Sequence, residues 1–254
     1  MDEQQIKEKK YLQSISECNL AKNNPFIIDN GDGKELSVIA SDSNHLMQEL
    51  DKISTYRTLY DTAYDLASKI AFSLKNAIEY SYSKEVLNQF DMIHTGGKEE
   101  WIAYYNIENA LFRIESLWDI LAQIYNVKYS LRENIKNVYH NRIFSDNKKY
   151  VNKYWNSGVP SEVQTITNYI REEDDTEVVE GKWKGNYKYV NSLRNTMTHR
   201  LSISRSSLSS YAFCHLKSSP HFILRRTAEC FAMLQNFTLN SFQNIIGDIE
   251  NFEK

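Results

Sequence analysis

Residues 101–125 read WIAYYNIENALFRIESLWDILAQIY, and within them Ile107, Ala110, Leu111, Ile114, Leu117, Trp118, Leu121, Ile124 and Tyr125 recur at steps of three and four. A strand alternates with period two, whereas this spacing lays one apolar stripe along a helix. The stretch predicts a long helix with a buried face. Glu108, Glu115 and Asp119 run beside that stripe, and Glu115 and Asp119 stand one turn apart. They are candidates to point into a groove and support a site from behind, or are ordinary charges flanking a buried face.

The same spacing recurs outward from this helix. Leu46, Leu50, Ile53, Leu59 or Tyr60, Ala63 or Tyr64, Ala67, Ile70 and Leu74 mark one face of a helix from about Asn44 to Tyr80, capped by Ser41, Asp42 or Ser43. Lys84 to Ile93 extends it with a kink, and Gly96-Gly97 marks a helix boundary. Short helical pieces are expected around Leu131–His140 and Asn147–Trp155, and further helices over Ser161–Ile170 and Tyr187–Arg200. Ser219-Pro220 opens the last helix, whose stripe of Phe231, Leu234, Thr238, Phe242, Ile245, Ile249 and Phe252 suits a bundle core or a dimer seam equally. Eight serines among the eighteen residues 202–219 suggest a mobile polar loop outside the core.

Near the start, a helix is expected from Asp2 to about Ala21. It is followed by two β-prone runs, Phe26–Ile28 and Leu36–Ile39, around an Asn-Gly and Asp-Gly turn that suits a small hairpin. The expected organisation is an N-terminal extension over 1–42 and a helical domain over 43–254.

Composition reads as mostly helical, and an all-α antiparallel bundle is the expected fold. Eight Gly and three Pro in 254 residues are too few to turn the many strands of a sandwich, barrel or doubly wound sheet. No apolar run approaches the roughly 20 residues of a membrane helix, and Met1 to Lys10 is charged and Gln-rich, unlike a signal peptide. Cys18, Cys214 and Cys230 share no metal-binding spacing and suit reduced thiols. A cytoplasmic protein is expected, without membrane, metal or other cofactor.

Charge is unevenly placed. Residues 182–226 hold nine of the 30 basic side chains and none of the 33 acidic ones, leaving a formal net charge of −12 on the remaining 209 residues. An acidic cluster, Glu172, Glu173, Asp174, Asp175, Glu177 and Glu180, stands just before this run. Either the two balance in space, or the run makes a positive field aimed at phosphates.

Inside the acid-free run lies Leu193-Arg194-Asn195-Thr196-Met197-Thr198-His199-Arg200. Arg supplies a permanent forked cation for phosphate, and His exchanges protons near neutral pH. Asn195 and His199 share a helix face at i and i+4, so the amide can orient the ring. Arg194 and His199 stand about 140° apart around an ideal helix. Convergence on one phosphate therefore calls for a curled Arg side chain, a distorted helix or two subunits, and a two-fold dimer is the favoured solution.

Arg194-Asn195-x-x-x-His199 resembles the signature of HEPN domains, all-α bundles that often act as metal-independent ribonucleases and dimerise so that two motifs face one cleft. The resemblance implies a catalytic set of Arg194, Asn195 and His199. It also makes the helix carrying Glu115, Leu117, Trp118 and Asp119 similar to the earlier helix that packs on the motif helix. Some toxins of the family carry a Tyr two residues past the His, where this chain has Leu201. The expected activity is RNA cleavage by 2′-hydroxyl attack, leaving a 2′,3′-cyclic phosphate, with Lys188, Arg200 and Arg205 guiding the RNA backbone. The expected partners are RNA, a second copy of the chain and an antitoxin or other regulatory protein, in a toxin or phage-defence setting. The alternative is a non-catalytic helical module that binds RNA or protein.

Overall fold

Asp2 opens the first helix by accepting from the Gln5 backbone N–H while the Gln5 side chain accepts from the Asp2 N–H, which satisfies two orphan donors reciprocally. Helix α1 then runs over Glu3–Ile15, and a 3₁₀ turn over Asn19–Lys22 follows. A computed structural model describes residues 1–22, 27–29, 35–37, 46–175, 183–199, 202–206 and 216–252; of 21–22, 27–29, 35–37, 46–51, 199 and 247–252 it describes the backbone alone. Strand β1 (Ile27–Asp29) pairs antiparallel with β2 (Glu35–Ser37), Ile27 opposite Ser37. The turn between these strands and the cap candidates Ser41, Asp42 and Ser43 lie outside the described residues.

The fold class is all-α. Beyond that strand pair, the long elements are α2 (Leu46–Ser81), α4 (Lys98–Lys128) and α9 (Pro220–Phe252), with α3 (Lys84–Gln89), α5 (His140–Ile143), α6 (Lys148–Tyr154), α7 (Ser161–Arg171) and α8 (Asn186–His199) between them. Ser83 separates α2 from α3 and caps the latter, its side chain accepting from the Val86 N–H at 3.3 Å. Gly96-Gly97 precedes α4 and makes room for two glutamates: an added Cβ would stand 2.0 Å from Glu100 Cδ at Gly96 and 2.1 Å from Glu85 Oε1 at Gly97. Glu85 uses that room to accept from the Glu99 N–H, satisfying a free donor in the first turn of α4.

The chain divides into two compact units. The first comprises 1–17, 68–115 and 168–233; Leu12, Leu74, Ile78, Ile107, Leu111, Ile114, Leu224 and Phe231 belong to its core and are fully buried. The second comprises 18–67, 116–167 and 234–254, with Leu20, Tyr60, Trp118, Leu121, Tyr125, Val163 and Phe242 buried. In it Tyr60 donates to the Leu20 carbonyl at 2.6 Å, and Trp155 donates its indole N–H to the Ile143 carbonyl at 3.0 Å. Neither unit coincides with residues 1–42.

All nine stripe residues between Ile107 and Tyr125 are at most 2 % exposed. In the last helix Phe231, Leu234, Thr238, Phe242 and Ile245 are buried within the chain itself, so this part of the seam is core rather than a dimer contact. The serine-rich stretch is not wholly outside the core either: Ile203 and Lys217 are buried. No helix among the described residues is long and apolar enough to cross a membrane.

Candidate functional site

Helix α8 carries the Arg-Asn-His motif, and its start is fixed by the acidic cluster. Glu172 accepts from the Gly185 N–H at 3.0 Å and Asp175 from the Lys184 N–H at 2.6 Å. Gly185 has φ of +68°, and a Cβ there would stand 2.5 Å from the Asp174 backbone, so the close approach requires glycine. Arg226, fully buried, donates to Asp174 at 2.6 Å and to the Lys184 carbonyl at 2.9 Å, with its guanidinium 4.8 Å from the centre of the Tyr189 ring. On the other side of the start, the Asn186 amide donates to Glu229 at 3.0 Å. Buried Tyr187 and Val190 then anchor the helix.

The motif lies toward the far end of α8. Arg194 is half-buried and donates through Nη1 to Asn195 Oδ1 at 3.0 Å; exposed Asn195 donates in turn to Asn191 Oδ1 at 3.3 Å. The guanidinium and both amides therefore form one hydrogen-bonded row along the helix. Thr198 bonds back to the Arg194 carbonyl at 2.9 Å. The buried Nε–H of Arg194 has no hydrogen-bond partner. His199 is the last residue of α8; its side chain and all of Arg200 lie outside the described residues.

Among the described residues, four cations of the positive run are compensated. Lys188 pairs with Glu173, Lys217 with Glu100, Arg225 with Glu229 at 3.2 Å, and Arg226 with Asp174. Balance in space is thus realised there, and the uncompensated field is corrected to a smaller one. Lys188, one of the three cations expected to guide RNA, already has a carboxylate partner, whereas exposed Arg205 makes no ion pair among the described residues.

Glu115 is half-buried on α4. Asp119 belongs to the second unit and accepts from both the backbone N–H (3.0 Å) and ring Nδ1 (2.7 Å) of buried His140, where it caps α5.

A cleft of about 300 Å³ in the first unit escaped the motif reading. Trp101, Tyr105 and Glu108 line it from α4, and Ser202, Ser204 and Arg205 line it from the segment after α8. Trp101 and Tyr105 are 61 % and 52 % exposed, with rings stacked at 5.5 Å and 15°. Half-buried Glu108 accepts from the Ser202 hydroxyl at 3.4 Å and makes no ion pair among the described residues. Burial raises its carboxyl above the ordinary value, against the lowering effect of that hydroxyl. Under the cleft, Tyr104 donates to the Ser218 carbonyl at 2.7 Å, and Glu100 is held by Lys217. The available signal was the spacing of Trp101, Tyr105 and Glu108 at i, i+4 and i+7, with the two rings opposite the apolar stripe and Glu108 at its edge. Comparisons with protein-family models, curated proteins and solved structures find no match to the chain.

Proposed function

We propose that the chain is a metal-independent RNA endonuclease of HEPN type, working as a dimer whose two motifs share one cleft. The observation that carries this reading is the row on α8, where Arg194 is tied to Asn195 at 3.0 Å, four residues before His199 ends the helix. A guanidinium anchored at one nitrogen retains further N–H donors for a phosphate. His199 takes the proton from a ribose 2′-hydroxyl, whose oxygen attacks the adjacent phosphorus. The bond from phosphorus to the 5′ oxygen breaks, and that oxygen receives a proton from the second subunit's copy of His199. The products are a 2′,3′-cyclic phosphate and a 5′-hydroxyl. Arg194 opposes the charge that grows on the phosphoryl oxygens, the kind of preorganised electrostatics that contributes most in such reactions. Two subunits resolve the angular separation of Arg194 and His199 along one helix.

Arg200 and Arg205 guide the RNA backbone, with Lys188 contributing once Glu173 releases it. Toxin-like or defence activity, under a partner protein's restraint, is the biological setting this chemistry fits. The test compares an RNA strand with its 2′-deoxy counterpart in excess chelator. Cleavage of the RNA alone, lost in His199→Ala, is expected. Cutting of the deoxy strand, or chelator-sensitive cutting, overturns the mechanism. RNA binding without turnover moves the protein to the non-catalytic module.

A further inference from the structure

Trp101 and Tyr105 place two large rings in water on one helix face, at 61 % and 52 % exposure, although burying such surface is normally favourable. Their rings are 5.5 Å apart, too close for a third ring to enter between them, so a planar ligand stacks on an outer face. Beside them Glu108 holds a half-buried carboxylate without a cationic partner among the described residues. Burial of such a charge without compensation is costly, and one that persists in a cleft marks a functional candidate. Its single hydrogen bond, 3.4 Å from Ser202 to Oε1, leaves Oε2 without a partner among the described residues. Arg205 adds an exposed guanidinium at the same cleft. A planar face, a pair of acceptor oxygens and a cation thus meet within about 300 Å³, at the small end of ligand pockets.

We infer that this cleft takes an unpaired guanine base of single-stranded RNA, stacked on the Trp101–Tyr105 pair, with Glu108 accepting from guanine N1–H and N2–H and Arg205 meeting a neighbouring phosphate. The choice of base follows from the acceptor pattern. Two carboxylate oxygens need two adjacent donors. Guanine presents N1–H beside its N2 amine on the Watson–Crick edge, which is free in single-stranded RNA. Adenine and cytosine set a ring nitrogen lone pair beside their one amine, and uracil flanks one N–H with two carbonyl oxygens. Stacking gives affinity for any base; the carboxylate gives the preference. This inference rests on RNA as the substrate of the proposed reaction and names the base held in the cleft.

The test uses the full chain carrying His199→Ala, so that bound RNA stays intact. Fluorescence anisotropy measures its binding to labelled AAGAA, AAAAA and AAIAA pentaribonucleotides, where I is inosine, which lacks the N2 amine. AAGAA is expected to bind at least about 5-fold tighter than AAAAA, with AAIAA weaker than AAGAA. Adding Trp101→Ala is expected to weaken both AAGAA and AAAAA by about 5- to 150-fold. Adding Glu108→Gln, nearly the same shape, is expected to abolish the preference for AAGAA over AAAAA, because an amide offers one acceptor and one donor where the carboxylate offers two acceptors. Equal affinities for AAGAA and AAAAA, no binding of either, or a guanine preference that survives Glu108→Gln overturns the inference. Chelator-resistant RNA cleavage by the wild-type chain with no preference for guanine overturns the cleft assignment alone. Guanine-selective binding without cleavage overturns the nuclease reading and leaves the cleft standing.

Discussion

Replacing Lys217 with Met tests whether the serine-rich segment is anchored in the core. The Lys217 and Glu100 side chains are only 1 % and 4 % exposed and form an ion pair across 117 positions of sequence. Lys217 Nζ also lies 5.2 Å from the centre of the Phe90 ring, and Gly96 provides the space that the Glu100 carboxylate fills. Removing the cation leaves an uncompensated carboxylate in a buried position, and losing one partner of such a pair costs about 3–5 kcal/mol. In a chain of this size each kcal/mol moves the midpoint by about 2–4 °C, so Lys217→Met is expected to lower Tm by roughly 6–20 °C. Glu100→Leu alone is expected to cost as much, by stranding the ammonium. The double variant has no stranded charge, and apolar replacement of a buried pair is often neutral or stabilising. It is therefore expected to be more stable than either single variant, with a coupling energy of at least about 2 kcal/mol. Urea denaturation followed by far-UV circular dichroism measures all four proteins. Single variants within about 1 kcal/mol of wild type, or additive effects in the double variant, refute the reasoning.

Gly185→Ala combines a left-handed backbone with a Cβ 2.5 Å from the Asp174 backbone, and thermal melts are expected to show a larger loss than Gly158→Ala, where φ is +115° but nothing lies within 4 Å. Two groups oppose each other in the pH dependence of stability. Burial lowers the His221 pKa below its ordinary 6.5, partly countered by Glu8, so the folded state binds protons less readily than the unfolded chain; stability falls as pH drops from 6.5 through the lowered value, and His221→Phe is expected to remove that loss. Glu108 is raised from 4.5, so its folded form holds a proton more tightly, and stability falls as pH climbs from 4.5 through the raised value; Glu108→Gln is expected to flatten that limb in pH-resolved urea titrations. Arg205→Ala is expected to reduce the slope of log affinity against log salt for single-stranded RNA by about 0.7, and Lys188→Ala by less, because Glu173 already neutralises Lys188. Cleavage of end-labelled RNA, mapped to the nucleotide, is expected within about two linkages of a guanine.

The fold was legible wherever information is local. The stripe from Ile107 to Tyr125 specifies a buried helix face because side chains three and four apart share one side, and every member is buried. Pro220 and the Gly96-Gly97 boundary were readable for the same reason, since backbone restrictions act on adjacent residues. Lys217 defeats such reading. Its surroundings in sequence are polar, and its burial rests on Glu100, 117 positions away, and on the ring of Phe90. The charge run has the same defect as a guide to surface: its compensation comes from Glu173, Asp174, Glu100 and Glu229, and only Glu229 lies close in sequence to its cation.

The motif and the cleft differ in legibility for one physical reason. Arg194, Asn195 and His199 lie within two turns of one helix, so a linear scan meets them together. The cleft joins residues of α4 to residues about a hundred positions later, and its aromatic face becomes visible only once the other face of α4 is known to be buried. Yet Ser202 follows His199 by three residues, and three residues of extended chain span at most about 11 Å. A base held against Ser202 and Glu108 therefore brings the phosphates beside it near the end of α8. On the RNA reading, Arg205, exposed at the cleft, would supply a cation for the strand between the two points. That covalent limit ties base selection to the position of the cut: a ribonuclease reading of α8 entails that the bound base and the broken linkage are neighbours in the RNA.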